Sequence, residues 1–351
     1  MGIDEKYMWR CLQLAKKGRG YTKNNPLVGS VIVHNNKIIG EGYHRKIGQA
    51  HAEVNAIEAV KDHSLLQDAT LYVSLEPCSH YGKTPPCAEL IASKGIKKIV
   101  VAIKDPNEKV AGRGIAILEA AGATVTVGVL EDEARELNNS FFVNQIEKRS
   151  FVTLKWAQTK DGFIDNERDG QELPPLTLSN NITQCIVHKL RSQRMGIMVG
   201  TNTALKDNPT LNTRKWHGDN PVRIVLDRTR KLSANSNLFN GCAPTVVFTE
   251  LSNYPVAENV SSVQINFEAD VVNQVLHKLY QEGIATLIVE GGSKLISSFV
   301  EKGAWDEAFV EVGNMEIGRG IRAPILRGTR INAKKYIDSL HYHIKREITR
   351  N

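Results

Sequence analysis

The 351-residue chain has no apolar run long enough to cross a membrane, and it contains no internal repeat or low-complexity segment. Its start, Met1-Gly2-Ile3-Asp4, is typical of a helix rather than of a secretion signal. Cysteine is scarce, and the five cysteines make an odd number, which argues against a disulfide framework. We therefore expect a cytoplasmic protein with no membrane partner.

A concentrated basic segment is also lacking, although the net charge is +7. Residues 1–150 carry 20 Lys and Arg against 17 Asp and Glu, and the remainder carries 25 against 21. Because the excess is spread over both halves, no electrostatic footprint for a polynucleotide is visible. We expect small-molecule partners and no nucleic acid.

What the chain does contain is a histidine, two cysteines and a glutamate, in the pattern His51-Ala-Glu53, Pro-Cys78 and Cys87. One imidazole and two thiolates suit Zn²⁺, and three protein ligands leave the fourth tetrahedral position open for water. Glu53 lies too close to His51 to share the metal, but it can move protons between water and a departing amine. Zinc nucleoside and nucleobase deaminases have this pattern. It predicts one Zn²⁺ per chain, bound by His51, Cys78 and Cys87, with Glu53 catalytic.

The alternative is that Cys78 and Cys87 are small core residues and that His51 caps a helix. Four residues of three types would then coincide without a chemical cause. The local pattern also favours a site, because a buried strand is predicted over Asp68–Leu75. Pro85-Pro86 is expected to open a helix, with Cys87 in its first turn.

Eight residues separate Cys78 from Cys87, where deaminases of free nucleosides and of tRNA adenosine have Cys-x-x-Cys. The stretch from Glu76 to Cys87 closely resembles the deaminase half of the bifunctional riboflavin-biosynthesis deaminase/reductase family. The resemblance continues in Asn25-Pro-Leu-Val-Gly29, Gly42-Tyr-His44, Asp105-Pro-Asn107 and Val110-Ala-Gly-Arg-Gly114.

This resemblance implies deamination of a diaminopyrimidinone ribosylamine 5′-phosphate. It implies that Asn25 and His44 hold the pyrimidine ring. His80 and Lys83, in the insert between the two cysteines, are the candidates for the ribose-phosphate end.

The chain is longer than one hydrophobic core supports, so two domains are expected. Residues 1–148 alternate strand and helix patterns, and a single helix is predicted over Ala134–Glu147. We expect an α/β fold whose first part is a cytidine-deaminase-like mixed sheet with helices on both faces. A strand begins again at Phe151, and residues 149–351 are expected to form a second α/β domain.

In that second part, Glu290-Gly-Gly-Ser293 joins a predicted buried strand to a helix. Two glycines there would let a phosphate reach backbone N–H groups, although a plain tight turn explains them equally well. The segments Lys155–Gly162, Val199–Leu211 and Pro221–Asp227 resemble the reductase half of the same family. That half looks like dihydrofolate reductase in fold and uses NADPH, which implies reduction of the ribosyl group to ribityl.

The resemblance also implies two sets of reductase residues. The cofactor set comprises Ala157, Thr177, Thr203, Asp207, Arg228, Gly292, Ser293 and Lys294. The substrate set comprises Lys155, Arg191, Leu211, Arg214 and Glu290. Arg228 either reads the 2′-phosphate of NADPH or is an ordinary solvated arginine. Residues 176–179 and 312–320 depart from the family pattern.

Two other classes of function were weighed. A tRNA-editing adenosine deaminase would want Cys-x-x-Cys and a clustered basic, aromatic face, and neither is visible. Residues 150–351 could instead be a non-catalytic dimerisation or binding module descended from a reductase. The resemblance favours a homo-oligomer over a monomer.

Overall fold

The computed structural model describes residues 2–81, 85–107, 110–168, 174–255 and 257–347. The chain divides into two compact units, Met1–Lys148 and Arg149–Asn351. None of the helices in these described ranges is long and apolar enough to cross a membrane.

The first unit contains one five-stranded mixed sheet and the helices packed on it. Its elements are, in chain order, α1 (Ile3–Ala15), β1 (Gly29–His34), β2 (Lys37–Tyr43), α2 (Ala52–Glu58), β3 (Thr70–Val73), α3 (Cys87–Ser93), β4 (Lys98–Val101), α4 (Arg113–Ala120), β5 (Thr124–Val127), α5 (Glu131–Leu137) and α6 (Asn139–Glu147). The strand order is β2-β1-β3-β4-β5. Strand β1 runs antiparallel to β2 and β3, and β3, β4 and β5 are parallel.

Both faces of this sheet are covered, because successive strand side chains point to opposite sides. Tyr72 packs with Met8 and Leu12 of α1 on one face. Its neighbours Leu71 and Val73 pack on the other face in the core of α2, α3 and α4. The predicted arrangement of helices on both faces is therefore confirmed.

The single helix predicted over Ala134–Glu147 is wrong, because the structure has α5 and α6 with a break at Asn138. The Asn138 side-chain amide donates to the Leu27 carbonyl at 2.9 Å and accepts from the Leu27 N–H at 2.7 Å. This contact joins residues 111 positions apart in the chain. Helical periodicity carries no information about such a partner.

The second unit is built on a nine-stranded sheet. Its elements are β6 (Phe151–Gln158), β7 (Phe163–Asp165), α7 (Asn181–Ser192), β8 (Gly196–Val199), α8 (Thr201–Asp207), β9 (Val222–Leu226), β10 (Thr245–Thr249), β11 (Val260–Gln264), α9 (Val271–Gln281), β12 (Thr286–Glu290), α10 (Ser293–Glu301), β13 (Glu307–Val312), β14 (Ile321–Arg322), β15 (Thr329–Tyr336) and β16 (Ser339–Lys345). The strand order is β11-β10-β9-β8-β12-β6-β13-β16-β15, and β7 pairs separately with β14.

Seven neighbouring strands of this sheet, from β11 to β13, are parallel, and β15 and β16 add an antiparallel hairpin at one edge. Two cores lie on its opposite faces. Leu287 and Val289 of β12 belong to one core and Ile288 to the other. Parallel strands end at a common edge, and ligands of α/β sheets bind outside those carboxyl ends. The segments that follow β6, β8, β9 and β12 are distant in the chain but meet at this edge of the sheet.

Candidate active sites

The three predicted metal ligands meet in the first unit. His51 is the N-cap residue of α2, Cys87 is the first residue of α3, and Cys78 follows β3. The Nδ1 atom of His51 lies 3.6 Å from Cys78 Sγ and 3.3 Å from Cys87 Sγ. The three ligand atoms all lie within 4.8 Å of one another.

These distances fit a tetrahedral zinc ion. Zn–S and Zn–N bond lengths of about 2.3 and 2.05 Å at a tetrahedral angle place the two ligand atoms about 3.6 Å apart. One imidazole and two thiols are donors that zinc prefers over magnesium or calcium. The residues present therefore fit the metal.

The charge state of the thiols also calls for a cation. Hydrogen bonding from Cys87, together with His51, lowers the pKa of Cys78 to about 4. The neighbouring Cys78 and burial raise the pKa of Cys87. Two thiolates this close repel each other in a buried site, so both ionise together only beside a positive ion.

Glu53 lies in the first turn of α2 and is buried, with only 3 % of its surface exposed. Burial raises its pKa to about 7, although His51 opposes this change. A cation at the ligand triad would lower this pKa, because it stabilises the carboxylate. The side chain thus stands beside the metal site as a titratable group without serving as one of the three ligands.

Asn25 and His44, the predicted pyrimidine contacts, are brought together beside the triad. The Asn25 side-chain nitrogen lies 3.2 Å from His44 Nε2, and His44 Nδ1 lies 3.2 Å from the Ala50 carbonyl oxygen. If Nδ1–H donates to Ala50, then Nε2 accepts from Asn25 and the imidazole is neutral. Burial lowers the pKa of His44, in agreement with a neutral ring. The His44 and His51 rings stand edge to face with centroids 5.5 Å apart.

Sequence reasoning missed the role of Glu76, although it directly precedes Pro77-Cys78. Its buried carboxylate accepts hydrogen bonds from the backbone N–H groups of Asp105 and Gly112, and from those of Gly114 and Ile115 in the first turn of α4. A Cβ on Gly114 would lie 2.0 Å from the Pro77 carbonyl oxygen, so only glycine fits there. Glu76 therefore anchors Asp105 and the start of α4 next to the metal ligand Cys78.

The insert between the cysteines is only partly described. His80 is exposed and lies close enough to Asp105 to influence its pKa. Burial, with Glu76 adding to it, raises the pKa of Asp105 to about 6. Lys83, the other predicted phosphate contact, lies outside the described residues.

The second unit has a large cleft of about 1030 Å³ at the carboxyl ends of its parallel strands. This volume is at the upper end of the range for cofactor and ligand sites. Most residues predicted for the reductase line it, namely Lys155, Ala157, Thr177, Arg191, Thr203, Asp207, Leu211, Glu290, Gly292, Ser293 and Lys294. Residues from five separate segments of the sequence thus share one cavity.

Two helices begin at this cleft. Gly200 is the N-cap of α8 and Gly292 is the N-cap of α10, and both line the cavity. Gly291 and Gly292 have φ angles of +79° and +74°, which favour glycine. A Cβ on Gly292 would lie 3.1 Å from Thr203 Oγ1. The glycines therefore allow both the backbone turn and the close approach of Thr203. The N–H groups in the first turn of α10 suit a cofactor phosphate.

The titratable groups of the cleft are not equivalent. Glu290 accepts two hydrogen bonds from Arg191, and Asp207 is paired with Arg168 at 2.8 Å. Lys155 forms no ion pair within the part of the chain that the structure describes. By residue type alone, Lys155, Asp207 and Glu290 are equal candidates for acid–base chemistry in the reduction, and the structure separates Lys155 from the other two.

Arg228 and Arg214 do not line the cleft. The Arg228 guanidinium is bound by Glu250 at 2.8 Å and by Glu268 at 2.5 Å. Arg214 is exposed and donates to the Asn212 side-chain oxygen at 2.9 Å. The predicted contacts of these two arginines with cofactor and substrate remain predictions.

Comparison with known proteins identifies both units. The family described as "RibD C-terminal domain" matches residues 150–347, which is more than half of the chain. The chain belongs to the RibD family. The family described as "Cytidine and deoxycytidylate deaminase zinc-binding region" matches residues 1–103. Members of the RibD family are bifunctional deaminase/reductases of riboflavin biosynthesis.

Individual relatives extend over nearly the whole chain. The riboflavin biosynthesis protein RibD of Aquifex aeolicus is 39% identical over 91% of this chain and 89% of its own. RibD of Bacillus amyloliquefaciens is 37% identical over 97% of this chain and 92% of its own. A solved Thermotoga maritima deaminase/reductase matches with a TM-score of 0.89, 34% identity and coverage of 98% of this chain and 99% of that one.

These findings confirm the predicted family, the fold class and the two activities. They also confirm zinc and NADPH as the cofactors, and the His51–Cys78–Cys87 cluster agrees with the zinc-binding match. The alternatives of a tRNA-editing enzyme and of a non-catalytic second unit are thereby set aside. The individual site residues remain predictions, which the geometry above supports to different degrees.

Proposed function

We propose that the first unit deaminates 2,5-diamino-6-ribosylamino-4(3H)-pyrimidinone 5′-phosphate. The second unit then reduces the ribosyl group of 5-amino-6-(5-phosphoribosylamino)uracil to ribityl. The Thermotoga maritima relative is described as acting as this deaminase and this reductase. The observation that carries the proposal is the meeting of His51, Cys78 and Cys87 beside the buried Glu53, in the same chain as a nucleotide-sized cleft.

In the deaminase site, His51, Cys78 and Cys87 would hold zinc, which when bound acidifies a water ligand toward neutral pH. Glu53 would accept the proton of the attacking water and pass protons to the ring nitrogen and to the leaving ammonia. Asn25 and His44 would orient the pyrimidine, and His80 and Lys83 would contact the ribose phosphate.

In the reductase site, NADPH when bound supplies the hydride. As C1′ gains the hydride, the bond between C1′ and the ring oxygen breaks, and its electron pair stays on that oxygen, which needs a proton. Lys155 is our candidate donor, because Glu290 and Asp207 are each held by an arginine. Arg191, Leu211, Arg214 and Glu290 would border the substrate.

The cofactor would lie along Ala157, Thr177, Thr203, Asp207 and the turn from Gly292 to Lys294, which all line the cleft. Its phosphates would meet the N–H groups at the start of α10. Arg228 would contact this cofactor only after leaving Glu250 and Glu268.

We also propose that the protein is a cytoplasmic homo-oligomer. Its five cysteines are all free thiols, which suits a reducing compartment and the use of Cys78 and Cys87 as ligands. Sedimentation of the purified protein tests the oligomer.

The experiment for the two activities uses the full chain loaded with zinc. With the diaminopyrimidinone substrate alone, ammonia is released without a reductant. After NADPH is added, its oxidation follows deamination, and the ribityl product accumulates. Oxidation of NADPH on the substrate that still carries its ring amine, with no ammonia released, would contradict the proposed order.

A further inference from the structure

Alternating charges cross one face of the second unit's sheet, over four adjacent strands. Lys155 of β6 is in register with Glu290 of β12 on one side and with Phe309 of β13 on the other. Glu311 lies two residues beyond Phe309, so its side chain shares the face of Lys155. His341 of β16 is the register partner of Glu311. The order Glu290, Lys155, Glu311, His341 therefore alternates acidic and basic groups.

Glu311 is a buried carboxylate, with 1 % of its surface exposed. Its Oε2 accepts a hydrogen bond of 2.5 Å from the hydroxyl of Ser179, which lines the reductase cleft. Its Oε1 has no hydrogen-bond partner among the described residues and lies 3.5 Å from His341 Nε2. Burial opposes ionisation, yet His341 and Ser179 lower the pKa of Glu311 to about 2.

A buried charge of this kind needs a compensating charge close by. The groups that influence Glu311 are His341 on β16, Lys155 on β6, and the hydroxyls of Ser179 and Thr183 at the start of α7. Of these, Lys155 is the amine that reaches the cleft.

The buried ammonium of Lys155 in turn needs a negative charge close by. Burial lowers its pKa, Glu290 and Glu311 raise it, and Arg191 lowers it. The negative charge of Glu290 is already balanced by two hydrogen bonds from Arg191. Glu311 is the second carboxylate that stabilises the Lys155 ammonium, and its own ion-pair partner is His341, which is charged only when it is protonated.

We propose that Glu311 is a positioning residue for the reduction, which keeps Lys155 charged in the floor of the cleft and holds Ser179 in its wall. The proposal rests on the role of Lys155 as proton donor in the proposed function. Glu311 itself is not among the residues that line the cleft.

The test is the pH dependence of the reductase kcat in Glu311→Gln, with the deaminated substrate supplied. The amide still accepts from Ser179 but carries no charge. Because the change removes an opposite charge on the neighbouring strand that favours the ammonium, the alkaline limb should move toward lower pH by about 1 unit. Glu311→Asp, which keeps the charge, should restore most of the parent profile.

Glu307→Gln is the matched control. Glu307 is a buried carboxylate on the same strand and face, but it is bound to Arg194, His343 and Thr153. Its loss should leave the alkaline limb in place. A readout independent of NADPH is the titration of the Lys155 ¹³Cε resonance in ¹³C-lysine-labelled protein, assigned by its absence in Lys155→Gln.

The outcomes separate the two proposals. If Lys155→Gln keeps the parent profile, the proton-donor assignment fails, and this inference fails with it. If Lys155→Gln abolishes reduction but Glu311→Gln leaves both the limb and the resonance titration unchanged, only the role of Glu311 is overturned. If Glu311→Gln no longer binds NADPH, the titration of the Lys155 resonance decides. An acid shift in Glu311→Gln that Glu311→Asp reverses supports the proposal, and the parent pKa of Lys155 in Glu311→Gln refutes it.

Discussion

Arg191 donates two hydrogen bonds to Glu290, from Nε to Oε1 at 2.9 Å and from Nη2 to Oε2 at 2.7 Å. Both side chains are about nine-tenths buried, with 12 % and 10 % exposed. Arg191 Nη1 also donates to the Asn212 carbonyl at 3.1 Å. Of the five N–H donors of a guanidinium, about two thus remain for a substrate phosphate.

Replacing Arg191 by Ala should destabilise the second unit strongly. The change leaves Glu290 buried without its partner, which typically costs about 3–5 kcal/mol. Adding Glu290→Gln should recover a large part of this loss, measured by urea unfolding followed by tryptophan fluorescence. Arg214→Ala is the control, because Arg214 is exposed. Strictly additive effects of the two changes would show that the pair is not coupled.

Cys87→Ala should remove most of the zinc from the purified protein. Two ligands remain, and they no longer form the three-ligand site that binds the metal. Metal analysis by mass spectrometry measures zinc per chain. Cys185→Ala, which changes a free cysteine of the second unit, is the control and should keep one zinc. Full zinc retention in Cys87→Ala would refute the ligand assignment.

Glu53→Gln should keep zinc and the fold but lose deamination by roughly 10²- to 10⁴-fold, because an amide cannot accept the proton of water. Ammonia release measures this activity. Reduction of the already deaminated intermediate should continue at the parent rate. Deamination within threefold of the parent would exclude Glu53 as the group that moves the protons.

Arg228→Ala tests whether this arginine selects the cofactor. Since Glu250 and Glu268 already bind its guanidinium, we expect kcat/KM to change equally with NADPH and NADH. The ratio of the two efficiencies, compared between parent and variant, is the measurement. A loss confined to NADPH would mean that Arg228 leaves its carboxylates and reads the 2′-phosphate.

Glu307 should make the second unit sensitive to acid. Although burial opposes ionisation, His343 and Arg194 lower the pKa of Glu307 from 4.5 to about 2. A lowered pKa means that the carboxylate stabilises the fold above about pH 4.5 and that this stability is lost as the pH falls toward 2. At neutral pH the contribution is on the order of 3 kcal/mol.

The measurement compares the unfolding free energy of the parent and of Glu307→Gln across that range. The gap between the two proteins should be wide at neutral pH and should narrow as the pH falls from about 4.5 toward 2. A gap that stays constant with pH would contradict the assignment.

Much of the local structure followed from neighbouring residues alone. The strand that begins at Phe151 and the buried strand that ends at Glu290 lie where the sequence predicts them. Apolar, β-branched runs between turn residues specify such strands without help from distant partners. By contrast, no strand was predicted in the region from β13 to β16, which includes residues 312–320, where the chain departs from the family pattern. Its strands β15 and β16 are mostly exposed or half-buried, so they lack a marked apolar period.

The sequence by itself determined the chemistry of the metal site. Only a few residue types bind zinc or transfer protons. The chain has four such residues at the spacing that zinc deaminases share, namely His51, Glu53, Cys78 and Cys87. Only the tertiary structure decided which charged groups are free to act. Arg191 binds Glu290, two glutamates bind Arg228, and Glu311 shares a sheet face with Lys155 of the neighbouring strand. The members of each of these pairs come from segments far apart in the chain. The sheet brings them together and so determines which charges neutralise each other. Local pattern and composition do not encode that pairing.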